Sequence, residues 1–482
     1  MVFTSPGFAL FVTVAFAIHL VLPPRARNPW LLACSLWFYF TGAIDLGVGV
    51  AGLLLLATAV VDWHTARRIA AAADKRARWR WLLVSLVFDL GVLATFKYLD
   101  WFTTCAAAVL GLAGLTFVPP LLALSLPLAI SFYTFQSLGY VLDVYRGRAK
   151  ACASLPEYLL FLTFFPQLVL GPIERIGRLL PQIQTPREPT VAGFLTGSWL
   201  VFLGVYKKLA VADPLWPIAK AILPQAENWP RGLDVLAGAT VGTIALYADF
   251  SGYSDIARGV GRWFGFELMR NFRTPFFARN VQDFWGRWHV SLSTWIRDYL
   301  YLPMVVSPFW KRLGSGGLAI VTMALMGVWH GPASAFVAWG VWHGLLLFAY
   351  GRLRPWLYPR TQFRSAAGRS LFTVASIACT FLLCLVGVVL FSARDLPHGI
   401  QVLRMVALRP YGSPTLLSHC GAALLLAAPL LWLDWLEWKH DDPEALLRQR
   451  WLVRLLVRVV LAACVLDAML GYETKPFAYF RF

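Results

Sequence analysis

The amino-acid sequence predicts an all-α fold, a polytopic bundle of membrane helices with broken or re-entrant segments. Three observations carry that prediction. Hydrophobic residues make up 59% of the chain and charged residues 14%, whereas soluble domains are roughly a quarter charged. Apolar runs separated by short polar breaks recur along the whole length, several of them near the ~20 residues that a helix needs to cross a bilayer. Arginines concentrate in the short loops between those runs, as they do in cytoplasmic loops. By length alone the 482 residues would divide into two or three soluble domains. Composition argues instead for one membrane-embedded domain, 1–482, with an aromatic tail at 472–482.

Taken in order, the apolar runs lie near 7–22, 30–40, 44–61, 81–99, 103–118, 120–142, 157–170, 191–211, 233–250, 316–330, 335–350, 370–392, 415–433 and 451–470. Several are short and end at Pro or Gly, which suits broken helices enclosed by protein. About eleven to thirteen crossings plus re-entrant pieces are expected. The first run has no basic stretch before it and is followed by Pro23, Pro24, Arg25 and Arg27. It reads as a retained first helix with its N-terminus outside, not as a signal peptide. The 22 Trp and 16 Tyr suit two membrane interfaces. The seven cysteines form no CxxC pair and read as small buried hydrophobes, with no disulfide framework and no metal site. A net charge of +18 would suggest nucleic acid in a soluble protein. Here the loop placement makes that the poorer reading, and no nucleic-acid partner is expected.

Topology is clearest near the C-terminus. The loop from Arg352 to Arg369 carries five Arg and no acid, so it is placed inside. Run 370–392 then exits, 415–433 returns, and 451–470 exits again. The tail is thereby placed on the outer side. Lys311 and Arg312 precede run 316–330, and Arg352 and Arg354 follow run 335–350. Both flanks want the inside, so the two runs form a hairpin bent at Trp329-His330-Gly331-Pro332. Fifteen helical residues span about 22 Å, short of a crossing. His330 is therefore expected at the hairpin tip, within the membrane's depth.

An ionisable group inside a membrane is a functional hypothesis by default. His330 is the sharpest case: a neutral imidazole there can act as general base on a hydroxyl. The bland alternative is a helix-end histidine bonded to a carbonyl. His289 lies in the pattern Trp285, Trp288, Leu292, Trp295, Ile296, Tyr299, which predicts one amphipathic helix with a histidine in its apolar stripe. Support of catalysis and simple packing weigh equally for it. His343 reads as packing. Asp249, deep in the apolar run of Tyr247 to Asp255, needs a partner; it and Trp329 are candidate substrate-binding residues. The segment from Phe165 to Arg175 is open between hinge and binding element. The sequence carries no P-loop, HExxH or GxSxG motif, so nucleotide, zinc and serine-hydrolase chemistries lose support.

These residues together resemble a known family, the membrane-bound O-acyltransferases, in its bacterial envelope-polymer branch, alginate O-acetyltransferase membrane subunits included. The resemblance rests on Ser131 to Gln136, Asp143 to Arg146, the segments 165–175 and 247–255, and Asn271 to Pro275. Its most specific stretches are Asp283-Phe-Trp-Gly-Arg-Trp-His289 continuing to Tyr301, and Gly327-Val-Trp-His330-Gly331. The ending Phe477-Ala-Tyr479-Phe480 is similar to the Phe-x-Tyr-Phe ending of that branch. The chain departs from it where Met304 to Trp310 replaces a Leu-Gly-Gly-Asn-Arg-like loop, and at Gly286, where a basic residue is usual.

The resemblance implies a curved helical wall around a central tunnel, with His330 as catalytic residue and His289 as its second histidine. It implies an acyl thioester donor at the cytoplasmic face, acetyl-CoA, without a metal. It also implies a periplasmic or extracellular SGNH-like acetyltransferase as partner, and O-acylation of a cell-envelope polysaccharide of alginate, cellulose or peptidoglycan type. Tyr479 would carry the acyl group, with Phe477 and Phe480 seating the tail. The bacterial inner membrane is the expected location. The alternatives are D-alanyl-type transfer from a carrier protein, a secondary transporter, built likewise from broken helices with buried acids, and a scaffold without catalysis.

Overall fold

Helix α1 (Pro6–Val21) starts where Ser5 accepts the Phe8 N–H and Pro6 fills the first turn, a position that costs no backbone hydrogen bond. A computed structural model describes residues 3–45, 51–118, 124–222, 231–357 and 365–470. The chain falls into two compact units, residues 1–201 with 254–269, and residues 202–253 with 270–482. Among the described residues all regular structure is helical.

The first unit continues with α2 (Pro24–Asp45), α3 (Ala51–Ala71) and α4 (Lys75–Leu112). Asp74 caps α4 by accepting the Ala77 N–H at 2.7 Å. The expected runs 81–99 and 103–118 are one 38-residue helix as far as Leu112, because Asp100 between them leaves the backbone helical. Then come α5 (Ile130–Tyr145), α6 (Leu155–Thr163), α7 (Phe165–Leu168), α8 (Ile176–Gln184) and the start of α9 (Val191–Tyr206). Nearly every side of α5 is buried, so it is a core helix of this unit, packed on α3, α4 and α6. A polar knot ties these elements together. Ser85 donates to Asp62 at 2.5 Å, Ser137 donates to the same carboxylate, and Ser137 pairs with Tyr158 at 2.6 Å. The large majority of buried polar groups in folded proteins are partnered in this way.

In the second unit a π-helical stretch (Lys207–Ala212) leads into α10 (Asp213–Ile222), and α11 (Gly232–Trp263) contributes its part up to Tyr253. Short α12 (Val281–Arg287), α13 (Val290–Ile296) and α14 (Leu302–Val306) follow, the last two joined by a π-helical turn. Then come α15 (Gly314–His330), α16 (Ser334–Leu357), α17 (Ala366–Ser392), α18 (Leu396–Leu408), α19 (Leu416–His440) and α20 (Trp451–Leu470).

Among the described residues seven helical stretches are long and apolar enough to cross a bilayer, against the eleven to thirteen crossings expected. Helix α1 has only 16 residues. Helix α20 carries Arg454, Arg458 and Asp467 within 20 residues, and α5 and α6 are buried pieces too short to span.

The hairpin of α15 and α16 forms as expected, bent between His330 and Ser334. Its arms are longer than the apolar runs, because the chain is already helical through Gly314 to Gly317 and beyond Tyr350. With the turn at Trp310–Leu313, the first arm is a 21-residue stretch that can cross a bilayer. The first arm therefore does not fall short of a crossing, and its length gives no ground for the expected placement of His330 within the membrane's depth.

Candidate active site

His330 is the last residue of α15, and the chain leaves it through Gly331 in extended conformation. A side chain at position 331 would overlap the ring of Phe336, so glycine there lets the bend close. The His330 imidazole is boxed by aromatic rings: Trp329 at 4.7 Å between centroids, Trp339 at 5.0 Å and Phe391 at 5.1 Å. Trp329 and Trp339 are buried, while His330 itself is only partly so. The base candidate is thus only partly buried within an apolar frame.

The frame continues away from His330. Trp339 meets His343 at 5.3 Å, and Trp285 meets both Trp339 at 5.8 Å and His343 at 5.2 Å. Phe284 stacks on Trp288 at 5.7 Å, Trp288 meets Phe272 at 5.1 Å, and Phe272 lies parallel to His289 at 6.5 Å. Both sequence-predicted histidines therefore belong to one aromatic framework. The expected packing role of His343 fits its place in the middle: it is buried, and a Cβ at Gly387 would come within 2.5 Å of its Nε2.

The single amphipathic helix expected around His289 is not what forms. Helix α12 ends at Arg287, Trp288 is extended, and His289 takes a left-handed conformation with φ 43° before α13 begins. Residues other than Gly rarely adopt such a φ, and those that do cluster at functional sites. The neighbouring segment holds the break in place. Val290 N–H donates to the Asn271 carbonyl at 2.8 Å, Ser291 N–H to its side chain at 3.3 Å, and Arg273 N–H to the Arg287 carbonyl at 2.9 Å. Helical spacing alone gives no sign of this, since the competing partner lies some 20 residues upstream. His289 is buried, and burial pushes its pKa down to about 3, so it is a neutral imidazole at ordinary pH.

Asp249 has the partner it requires. Lys208, buried and absent from the sequence-level candidates, reaches Asp249 at 2.7 Å and Asp213 at 2.9 Å. Gly252 lets α11 approach this region, because a Cβ there would press on the Gly204 carbonyl and Lys207. In the first unit, Glu174 of the segment 165–175 is buried and accepts the Met269 N–H. Tyr479, Phe477 and Phe480 lie outside the described residues.

The site is thus a histidine at a hairpin apex, framed by aromatic rings in a helical membrane protein. The family model for "MBOAT, membrane-bound O-acyltransferase family" matches residues 149–386. A probable alginate O-acetylase AlgI of Azotobacter vinelandii is 36% identical over 404 residues, 82% of this chain and 76% of that protein. A peptidoglycan O-acetyltransferase of Helicobacter pylori is 29% identical over 84% of this chain and 79% of its own length. A teichoic acid D-alanyltransferase of Bacillus subtilis is 30% identical over 56% of this chain and 70% of its own. The chain belongs to the membrane-bound O-acyltransferase family. It is a multi-pass membrane protein and an O-acyltransferase that uses an acyl donor.

Proposed function

We propose that this enzyme moves an acetyl group from acetyl-CoA on the cytoplasmic side to the far side of the inner membrane, for O-acetylation of an envelope polysaccharide. The observation that carries this reading is His330 at the hairpin apex within its aromatic box, joined to the similarity with alginate O-acetylases over 82% of the chain. His330 acts as general base. It takes the proton of the attacking hydroxyl as that oxygen bonds to the thioester carbonyl carbon, and returns a proton to the departing thiolate. His289 supports the site as a neutral hydrogen-bonding group. The attacking hydroxyl is the phenol of Tyr479, placed on the outer side by the arginine asymmetry of the C-terminal loops, with Phe477 and Phe480 as anchors. A phenyl ester is a good acyl donor, so an SGNH-like partner transferase takes the acetyl group on to the polymer. Trp329 walls the acyl path. Asp249 contributes to substrate binding only if its carboxylate is released from Lys208.

The test is CoA release from acetyl-CoA by the purified protein. His330→Ala should lower it by about 100-fold to 10,000-fold with monodisperse protein still obtained. Wild-type turnover in that variant would reject the base assignment. Intact-mass measurement with acetyl-CoA and no acceptor should show one added acetyl group on wild type and none on Tyr479→Phe. Turnover only with an acylated carrier protein would favour the D-alanyl-type reading.

A further inference from the structure

Apart from the histidine site, the first unit contains a cavity of about 190 Å³ between the end of α1 and the start of α2, closed by the loop after α8 and by Phe264 and Phe266. Every formally charged residue lining it is cationic, beside the neutral His19, Asn28, Gln184 and Thr185. Arg25, Arg27 and Arg187 face it, and no acidic residue lines it. Arg27 donates to the carbonyls of Leu22 at 3.1 Å and Arg187 at 2.6 Å. Arg187 donates to the Gly265 carbonyl at 2.9 Å and lies over the ring of Phe266. These contacts fix the guanidinium groups without neutralising them. None of the three arginines makes an ion pair among the described residues.

A second, independent feature points the same way. His19 lines the cavity, is 2% exposed, and both its ring nitrogens lack a hydrogen-bond partner among the described residues. A buried imidazole without partners is costly, and so are the part-buried guanidinium charges of Arg27 and Arg187, with the exposed Arg25 beside them, when no counter-charge is near. One tetrahedral oxyanion would relieve both, because its several oxygens can accept from the guanidinium forks and from an imidazole N–H together. The start of α2 adds the positive end of a 22-residue helix, which also favours an anion. Next to the cavity, Leu20 and Val21 at the end of α1 are 49% and 81% exposed, an apolar surface suited to an acyl chain.

We propose that this cavity binds a phosphate group, and that its source is the headgroup of an anionic phospholipid whose acyl chains lie along Leu20 and Val21. A lipid bound there would tie the first two helices to the loop after α8.

The test is native mass spectrometry of the full-length detergent-purified protein incubated with phosphatidylglycerol, or with diacylglycerol, which keeps the chains but lacks phosphate. Wild type should retain phosphatidylglycerol at least about tenfold better than diacylglycerol. Arg25 is exposed and makes no described hydrogen bond or ion pair, so Arg25→Gln should leave the fold intact and lose most of that preference. Arg25→Lys should recover most of it, and His19→Phe, which keeps a ring against Phe264, should weaken retention independently. Equal retention of the two lipids, or an unchanged preference in Arg25→Gln, overturns the lipid site. If millimolar inorganic phosphate raises the thermal midpoint of wild type but not of Arg25→Gln, while the lipids bind equally, the phosphate site stands and its lipid source is rejected.

Discussion

The indole of Trp339 stands edge-to-face against the imidazole of His330, with centroids 5.0 Å apart and planes 88° from parallel. Trp339 also touches His343 and Phe391, so it couples His330, the proposed base, to the rest of the aromatic frame. Trp339→Ala should remove one wall of the box that orients the imidazole, and misplacing a catalytic group can cost about 100-fold in rate. Trp339→Phe keeps a ring at the same place and should cost much less. Steady-state kinetics of acyl transfer decides: the loss should fall on kcat more than on KM, and an Ala variant with wild-type kcat would remove Trp339 from the site.

The hairpin that carries His330 depends on glycines where its two arms meet. A Cβ at Gly340 would overlap the Met323 carbonyl, one at Gly327 would overlap the Phe336 carbonyl, and one at Gly344 would come within 2.5 Å of Ile320 Cα. Backbone cannot step aside as a side chain can. Small residues at such spacing are how membrane helices approach closely. Gly340→Leu should therefore push α15 and α16 apart, lower the thermal midpoint in detergent and reduce activity. Gly351→Leu on the same helix, where an added Cβ meets nothing within 4 Å, should be nearly silent. Equal behaviour of the two variants would refute the close-packing argument.

This hairpin was legible in the sequence because its cause is local: Pro332 breaks the helix and basic residues flank both arms. The aromatic box was half legible, since Trp329 and His330 are neighbours but Phe391 comes from another helix. The left-handed turn at His289 was not legible, because Asn271 enforces it from outside the helical pattern. Lys208 was hidden for a similar reason. Beside Lys207 in the sequence it looks like an interfacial lysine, and only the fold brings Asp249 and Asp213 to it.

That buried group of Lys208, Asp249 and Asp213 makes a sharp stability prediction. Lys208→Met removes the cation that both buried carboxylates touch, and breaking a buried pair from one side costs about 3–5 kcal/mol. The variant should express poorly or lose its thermal transition. Adding Asp249→Asn and Asp213→Asn to it removes the excess negative charge and should recover most of the stability. Size-exclusion profiles and thermal midpoints of the two variants test this directly. The same triple variant bears on substrate binding. If it folds and keeps wild-type KM, Asp249 serves the fold alone.

Glu174 provides a pH-dependent prediction in the first unit. Its carboxyl is buried and accepts the Met269 N–H, with Arg178 3.8 Å away and itself half exposed. Burial outweighs these contacts and raises its pKa from an ordinary 4.5 to about 7. The sign follows from linkage. Below about pH 4.5 the group is protonated in both folded and unfolded chains and carries no penalty. Between about pH 4.5 and 7 the unfolded chain loses the proton first, so the folded state loses stability as pH rises. The full cost, about 3 kcal/mol, is present above pH 7. Glu174→Gln keeps a carbonyl oxygen for the Met269 N–H and cannot ionise. Its thermal midpoint should match wild type near pH 4.5 and exceed it at pH 8, with the gap opening across that window. A gap that stays constant with pH, or a Gln variant less stable at pH 8, would show that Glu174 is held as a charged partner of the neighbouring arginines instead.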